Sequence, residues 1–410
     1  MSGLPSLPPI TGSSRVGLHD LQSRPHGDAV IVGRLATGEV VELPPVGAHI
    51  IGHLRQHLTV AETARRVAHE TGEEVDTDDV ADFVTDLTNL GFVASVDDVD
   101  VPGPAPRRPA FAWITPRRAA WSLSPLLPWA VGILAITTVV AVAHDPSLMP
   151  GYHSLLWSPH GSLVLLVGFG VGWPLVFLHE LAHLVTARAS GVPARVELGT
   201  RLQFLVAQTD MSGIELAPRR HRLTAYLSGM AVNLAVACLC LLAAAGPWSS
   251  LRPALQLLAL LSLLPLAWQF LIFMRTDVYF VLQDLTETAD LYGDGLAYAR
   301  YLAHRVIPLH RSAPPDRTSD LPAAQRRVVQ LYAAVLVAGT VLCLAALASV
   351  TAPADLALLV RAAHRVGPDH SLVERLDAAT VLIILGGSQA LWARTKWQYV
   401  RHRRRIRRGD

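Results

Sequence analysis

Residues 179–183 read His179-Glu180-Leu181-Ala182-His183 and close an apolar run that begins near Ser162. On a helix the two histidines fall one turn apart on one face, where two imidazole nitrogens can hold a single zinc ion. Glu180 sits beside them, placed to take a proton from a metal-bound water. An apolar helix is a costly place for ionisable groups, on the order of a few kcal/mol each even on permissive scales, so three within five residues point to a function. The bland alternative is a helix end whose polar side chains reach lipid headgroups. That habit suits Lys and Arg better than His and Glu.

The rest of the chain fits a membrane setting. Over 410 residues, a hydrophobic content of 51% and a mean hydropathy of +0.35 are too high for an ordinary soluble protein. Apolar runs near 125–143, 162–184, 223–246, 253–274, 328–350 and 376–393 are each long enough to cross the roughly 30 Å hydrocarbon core. The expected fold class is therefore mainly α: a polytopic membrane protein with about six transmembrane helices, preceded by a small α+β soluble domain. An even count places both termini on one side. Arg117-Arg118 before the first run, Arg219, Arg220 and Arg222 before the third, and Arg401 with Arg403–Arg405 after the last put that side in the cytoplasm, with the protein in the cell (inner, cytoplasmic) membrane. Arg361, Arg365 and Arg375 fall on the other side. The basic tail over 394–410 reads as a topology anchor.

Cys238, Cys240 and Cys343 lie in apolar runs and read as small core residues rather than disulfides or ligands. Met1–Pro9 lacks the basic residues and apolar core of a cleavable signal, and the first 16 residues are expected to be disordered. Gly168, Gly170 and Gly172 are small enough to let a neighbouring helix approach closely, and Pro174 can bend the helix above the histidines.

Residues 17–98 have soluble-domain patterning. Ala29–Gly33 and Glu39–Leu43 flank a turn at Gly38 and predict a hairpin. Val46–Leu58 is helical in pattern, Thr59-Val60-Ala61-Glu62 is a capping box opening a helix that stops at Gly72, and Val80, Phe83, Val84, Leu87 and Leu90 stripe a third helix ended by Gly91. A hairpin with three short helices suggests a winged-helix-like unit. Twelve acidic residues against Arg65 and Arg66 over 61–100 oppose phosphate contact, so no nucleic-acid partner is expected, and a peptide is the better candidate. Glu42-Leu43-Pro44-Pro45-Val46-Gly47-Ala48, the Thr59–Glu62 turn, and Asp82-Phe83-Val84 through Gly91-Phe92-Val93 resemble the PqqD-like domains that recognise leader peptides of ribosomally made, modified peptides. The resemblance implies that residues 17–96 bind the substrate peptide.

Residues 99–119 form a Pro/Arg-rich linker to the apolar domain, 120–393. Two histidines leave a catalytic zinc one protein ligand short. Asp277, directly after the fourth apolar run, is the first choice for the third ligand, with Asp284, Asp210 and Glu215 competing.

His179–His183, Ser228-Gly229-Met230-Ala231-Val232-Asn233 and Arg275-Thr276-Asp277-Val278-Tyr279 are similar to the three signatures of the site-2 protease family of intramembrane zinc metalloproteases. The matching core covers roughly 160–290. The resemblance implies His179, His183 and Asp277 as zinc ligands, Glu180 as general base, and Asn233 as a residue that contacts substrate or helps the oxyanion. Met230 stands where the family often has Pro, and Val278 where Gly commonly follows the Asp. Between these signatures, Gln203–Ala207 is strand-like and could pair with an extended substrate or simply cover the metal. Residues 285–327 read as a polar, partly amphipathic loop.

Together these features lead to the expectation of an intramembrane zinc endopeptidase that processes, or helps export, a ribosomally made peptide. The alternatives are regulated cleavage of a membrane-bound signalling protein, or a non-proteolytic peptide receptor or transport partner. The sequence leaves the oligomeric state open.

Overall fold

A computed structural model describes residues 9–155, 158, 161–201, 204–246, 248–288, 290–306, 316–367 and 370–408. The chain is mostly helical and divides into two units. One holds residues up to Trp121 with Ala187–Arg195 and Asp210–Arg222; the other holds Ser122–Thr186, Val196–Thr209 and the chain from Leu223.

In the first unit, β1 (Val16–Leu18) pairs antiparallel with β5 (Val93–Val96), which pairs with β6 (Val99–Asp100). A second sheet has the order β2-β3-β4, formed by Gln22–His26, Ala29–Arg34 and Glu39–Leu43. The expected hairpin is β3–β4, with Val32 opposite Val41 and Gly38 at φ 70° in its turn. Strand β2 was not legible in sequence. It carries Pro25 and no apolar alternation, as an edge strand can.

Three helices follow, α1 (Pro45–Leu54), α2 (Val60–Thr71) and α3 (Thr77–Asn89). The Thr59/Glu62 capping box is formed in both directions, and Gly72 closes α2 in the left-handed region, where a Cβ would be strained. Asp76 and Asp79 form a second box that opens α3. Leu54, Val60, Val67, Val80, Val84, Leu87 and Phe92 are fully buried in one core. Order begins earlier than expected: Ile10 packs on that core and Ser14 is buried. Ile10 and Ser14 thus belong to the folded unit rather than to the expected disordered stretch, and residues 1–8 lie outside the described chain.

The linker is irregular but tied down. The Arg107 N–H donates to the Ala36 carbonyl at 2.7 Å and its guanidinium to Asp210 at 2.7 Å. Ser212 also donates to Asp210, which lies 3.5 Å from Arg195. Burial pushes the Asp210 carboxyl up, but the Ser212 hydrogen bonds and the two guanidinium charges outweigh it and hold the group below its ordinary value. Asp210 is thus an ion-pair partner here.

After α4 (Pro116–Ala119) come α5 (Leu126–His144), the short α6 (Tyr152–Leu155) and α7 (Gly161–Ala189), which carries the pentad. Strands β7 (Arg195–Arg201) and β8 (Phe204–Asp210) pair as a hairpin, with Gln203 outside the described residues. Helices α8 (Arg219–Ala245), α9 (Arg252–Trp268), α10 (Asp277–Leu285), α11 (Leu291–Val306) and α12 (Ala323–Ala346) follow. The chain ends with α13 (Ala352–Arg365), α14 (Leu372–Val381) and α15 (Gly387–Arg408).

Among the described residues, five helical stretches are long and apolar enough to cross a membrane: Leu126–His144, Ser162–Ala189, Arg219–Ala245, Ala323–Ser349 and Leu372–Gln398. Of the six expected runs, the one at 253–274 forms a shorter apolar helix. It has only 17 residues, about 26 Å at ~1.5 Å per residue. It then breaks into a 3₁₀ turn at Ile272–Met274, and Arg275 adopts the left-handed region at φ 57°. The break has a local cause. The Gln269 carbonyl accepts the Thr276 hydroxyl, and its side-chain oxygen accepts the Asp277 N–H at 2.9 Å, so the chain turns back instead of continuing. The Arg275 side chain lies 5.4–5.9 Å from the ring centres of Tyr279, Phe280 and Tyr292, which hold that turn.

Two expectations are corrected. Apart from their own helix backbone and chain neighbours, no described atom comes within 4 Å of a Cβ built at Gly168, Gly170 or Gly172, so no described helix approaches them closely. Neighbouring Leu165, Leu166 and Phe169 are exposed, as on an outward face. The supposed loop at 285–327 contains α11, whose Leu291 packs with Tyr279, Tyr332 and Leu336; residues 307–315 lie outside the described chain. Cys238 is buried and Cys240 and Cys343 are half-buried, and none of the three is in a disulfide.

Candidate metal centre

The α7 helix delivers His179 and His183 to one face because four residues make about one turn. Asp277, the first residue of α10, meets them because of the break after Gln269. His179 Nε2 and Asp277 Oδ2 are 3.0 Å apart, the two Nε2 atoms 3.1 Å, and His183 Nε2 and Asp277 Oδ2 3.2 Å. Three donors on one tetrahedral ion, each bonded at about 2.0–2.1 Å, would stand roughly 3.3 Å apart. The triangle therefore has the size of one face of such a coordination shell, and its two-imidazole, one-carboxylate chemistry fits a metal ion. Both histidines are buried, and Asp277 is 20% exposed.

The surrounding groups orient these donors. His183 Nδ1 lies 2.7 Å from the Ala225 carbonyl, which calls for a proton on that nitrogen and leaves Nε2 as a lone-pair donor. The Ser228 hydroxyl also bonds the Ala225 carbonyl, and it lies 3.2 Å from Thr186. Gly229 is the wall behind both imidazoles. A Cβ there would stand 2.5 Å from His183 Nε2 and 2.6 Å from His179 Nε2, so a side chain would displace the donors. Gly229 belongs to one of the signature-like stretches, but its role shows only in three dimensions.

Glu180, next to the triad, is buried. Its carboxylate accepts a hydrogen bond from the Thr209 hydroxyl at 2.8 Å, and its main-chain carbonyl lies 2.9 Å from the same hydroxyl. Thr209 is on β8, a contact that the sequence could not signal across 29 residues. Asn233 is buried one turn beyond Gly229 on α8. Among the described residues it forms no hydrogen bond with the triad.

The competing carboxylates do not join the cluster. Asp284 lies two turns along α10, Asp210 pairs with Arg107, and the Glu215 carboxylate accepts the Gly213 N–H. Among the described residues, His179, His183 and Asp277 form the one group of this kind. Behind Asp277, burial pushes the Tyr279 phenol up to about 12, so it stays neutral while its oxygen accepts the Tyr292 N–H. Comparison with family models, curated proteins and solved structures gives no match for this chain.

Proposed function

We propose that this protein is a membrane-embedded zinc endopeptidase that cuts a peptide or membrane-associated substrate, in the manner of the site-2 proteases whose signatures it resembles. The observation that carries the reading is the convergence of His179, His183 and Asp277 within 3.0–3.2 Å, with the buried Glu180 carboxylate one residue away. Zinc bound there would polarise the scissile carbonyl and lower the pKa of a bound water toward about 7. Glu180 takes the proton of the attacking water and passes it to the leaving amine. Ala225 keeps His183 in the tautomer that leaves Nε2 free, and Gly229 keeps space for both rings.

Residues 17–96 supply peptide recognition in this proposal, as their PqqD-like resemblance implies. Strand β4 offers a side that pairs with no other strand among the described residues, where an extended peptide can add by backbone hydrogen bonds. The substrate class is then a ribosomally made peptide carrying a leader.

The test uses the full-length protein in detergent with zinc and a proteome-derived peptide pool, with new termini read by mass spectrometry. Wild type should generate new termini, and Glu180→Gln should generate none while its metal content is unchanged, because the base is lost but no ligand is. Wild-type protein that binds no zinc overturns the centre, and cleavage by Glu180→Gln at the wild-type rate overturns the mechanism.

A further inference from the structure

We infer that Thr209 is a positioning residue for Glu180, holding one carboxylate oxygen so that the other faces the reacting water. This rests on the endopeptidase reading. A glutamate side chain has three rotatable bonds, so holding it in one geometry costs conformational entropy. A general base must sit within hydrogen-bond reach of its proton, so something has to fix Glu180. Among the described residues, the Thr209 hydroxyl is the one hydrogen-bond partner of that carboxylate. It lies 2.8 Å from Oε2 and 2.9 Å from the carbonyl oxygen of the same residue. One hydroxyl thus ties the end of the side chain to its own backbone, and among the described residues Oε1 has no hydrogen-bond partner.

The second contact decides between positioning and anchoring. A hydroxyl that served only to fasten β8 to α7 would need the Glu180 carbonyl alone. The one hydroxyl proton is shared between that carbonyl and the carboxylate, so the same contact also fixes the end of the side chain. Pairing with β7 holds Thr209 in place, so the base is oriented by a strand rather than by its own helix.

Thr209→Val keeps the shape and removes the hydroxyl, whereas Thr209→Ser keeps the hydroxyl. Both are made in the full-length protein and assayed with the peptide that wild type cleaves fastest in the pool. Thr209→Val should lower kcat roughly tenfold to a hundredfold, part of the about 10²–10⁴ that a positioned base supplies, with KM changed by less than about twofold. Thr209→Ser should restore kcat, and adding Thr209→Val to Glu180→Gln should slow nothing further. A readout without turnover is the visible spectrum of cobalt-loaded protein. It should shift in the same direction in Thr209→Val and Glu180→Gln and stay as wild type in Thr209→Ser, with equal metal content in all. Full kcat in Thr209→Val, loss of metal in step with activity, or failure of Thr209→Ser to rescue overturns the inference in favour of a structural anchor. Absence of any cleavage by wild type overturns the endopeptidase reading and this inference with it.

Discussion

The α1–α3 core and the long apolar helices differ in what they leave exposed. In the N-terminal unit Leu54, Val60, Val67 and Val80 are sealed inside, while the acidic Glu73, Asp78 and Asp86 face outward. In α5 and α12 the same aliphatic types face out, with Ile136 67% and Leu331 70% exposed, whereas in α7 and α8 His179, Glu180, His183 and Asn233 are buried. Where water surrounds a fold, apolar burial drives it. Where hydrocarbon surrounds it, apolar side chains gain little by turning inward, and the ionisable groups are the ones that need enclosure. The contrast fits the enclosure of His179, Glu180 and His183 on a helix whose Leu165, Leu166 and Phe169 face outward.

The largest effect should come from the enclosed polar centre. Gly229→Ala places a methyl group 2.5–2.6 Å from both imidazole nitrogens, so zinc content should collapse and cleavage fall more than about a hundredfold, since a displacement near 1 Å is enough for that. Metal analysis of the purified variant checks it, and full occupancy would remove Gly229 from the centre. Asp277→Ala should likewise lose zinc, and Asp284→Ala should keep it; the reverse result would move the third ligand along α10.

Next comes a pair that tests the inversion itself. Leu54→Ala opens a cavity in a closed core and should cost about 2–5 kcal/mol. Leu331→Ala, on an outward face, should stay within about 0.5 kcal/mol. Urea titration of the full-length protein, read by proteolytic susceptibility of residues 17–96 and of α12, compares the two. Equal losses would break the comparison.

A smaller loss, about 1 kcal/mol, is expected from Thr59→Ala, which removes one half of a formed capping box. The smallest effect concerns pH. The folded protein holds the Asp210 carboxyl below its ordinary value, so in acid the unfolded chain binds that proton first. The Asp210 contribution is therefore present above the ordinary carboxylate pKa and is lost as pH falls through the lowered folded value. Asp210→Asn should flatten that acid limb in a stability-against-pH series, and an unchanged slope would make the Arg107 pair energetically idle.

Much of this architecture was legible before any coordinates, because its causes are local. Thr59 with Glu62, Gly72 and Gly91 mark helix ends by backbone rules that act over a few residues, and His179–His183 share a face because of helical pitch alone. Run length marks the apolar helices, five of which are long enough to span among the described residues, but it does not show where the run at 253–274 breaks. What the sequence could not supply depends on contacts that no hydrophobic period or helix cap signals, one of them within 8 residues and the others between distant segments. The fourth apolar run looks continuous until Gln269 takes the Thr276 hydroxyl and the Asp277 N–H, which cuts the helix and turns Asp277 toward the histidines. Spacing left four carboxylates in contention, and only that turn distinguishes Asp277 from Asp284. Thr209 reaches Glu180 through strand pairing, and Gly229 matters because two imidazoles occupy the space its side chain would fill. Periodicity and capping act within a turn or two of the chain, so the sequence determined the helices and the histidine pair. Complementarity between distant segments has no local signature, and only the tertiary structure decided the third donor, the support of Glu180 and the wall behind the histidines.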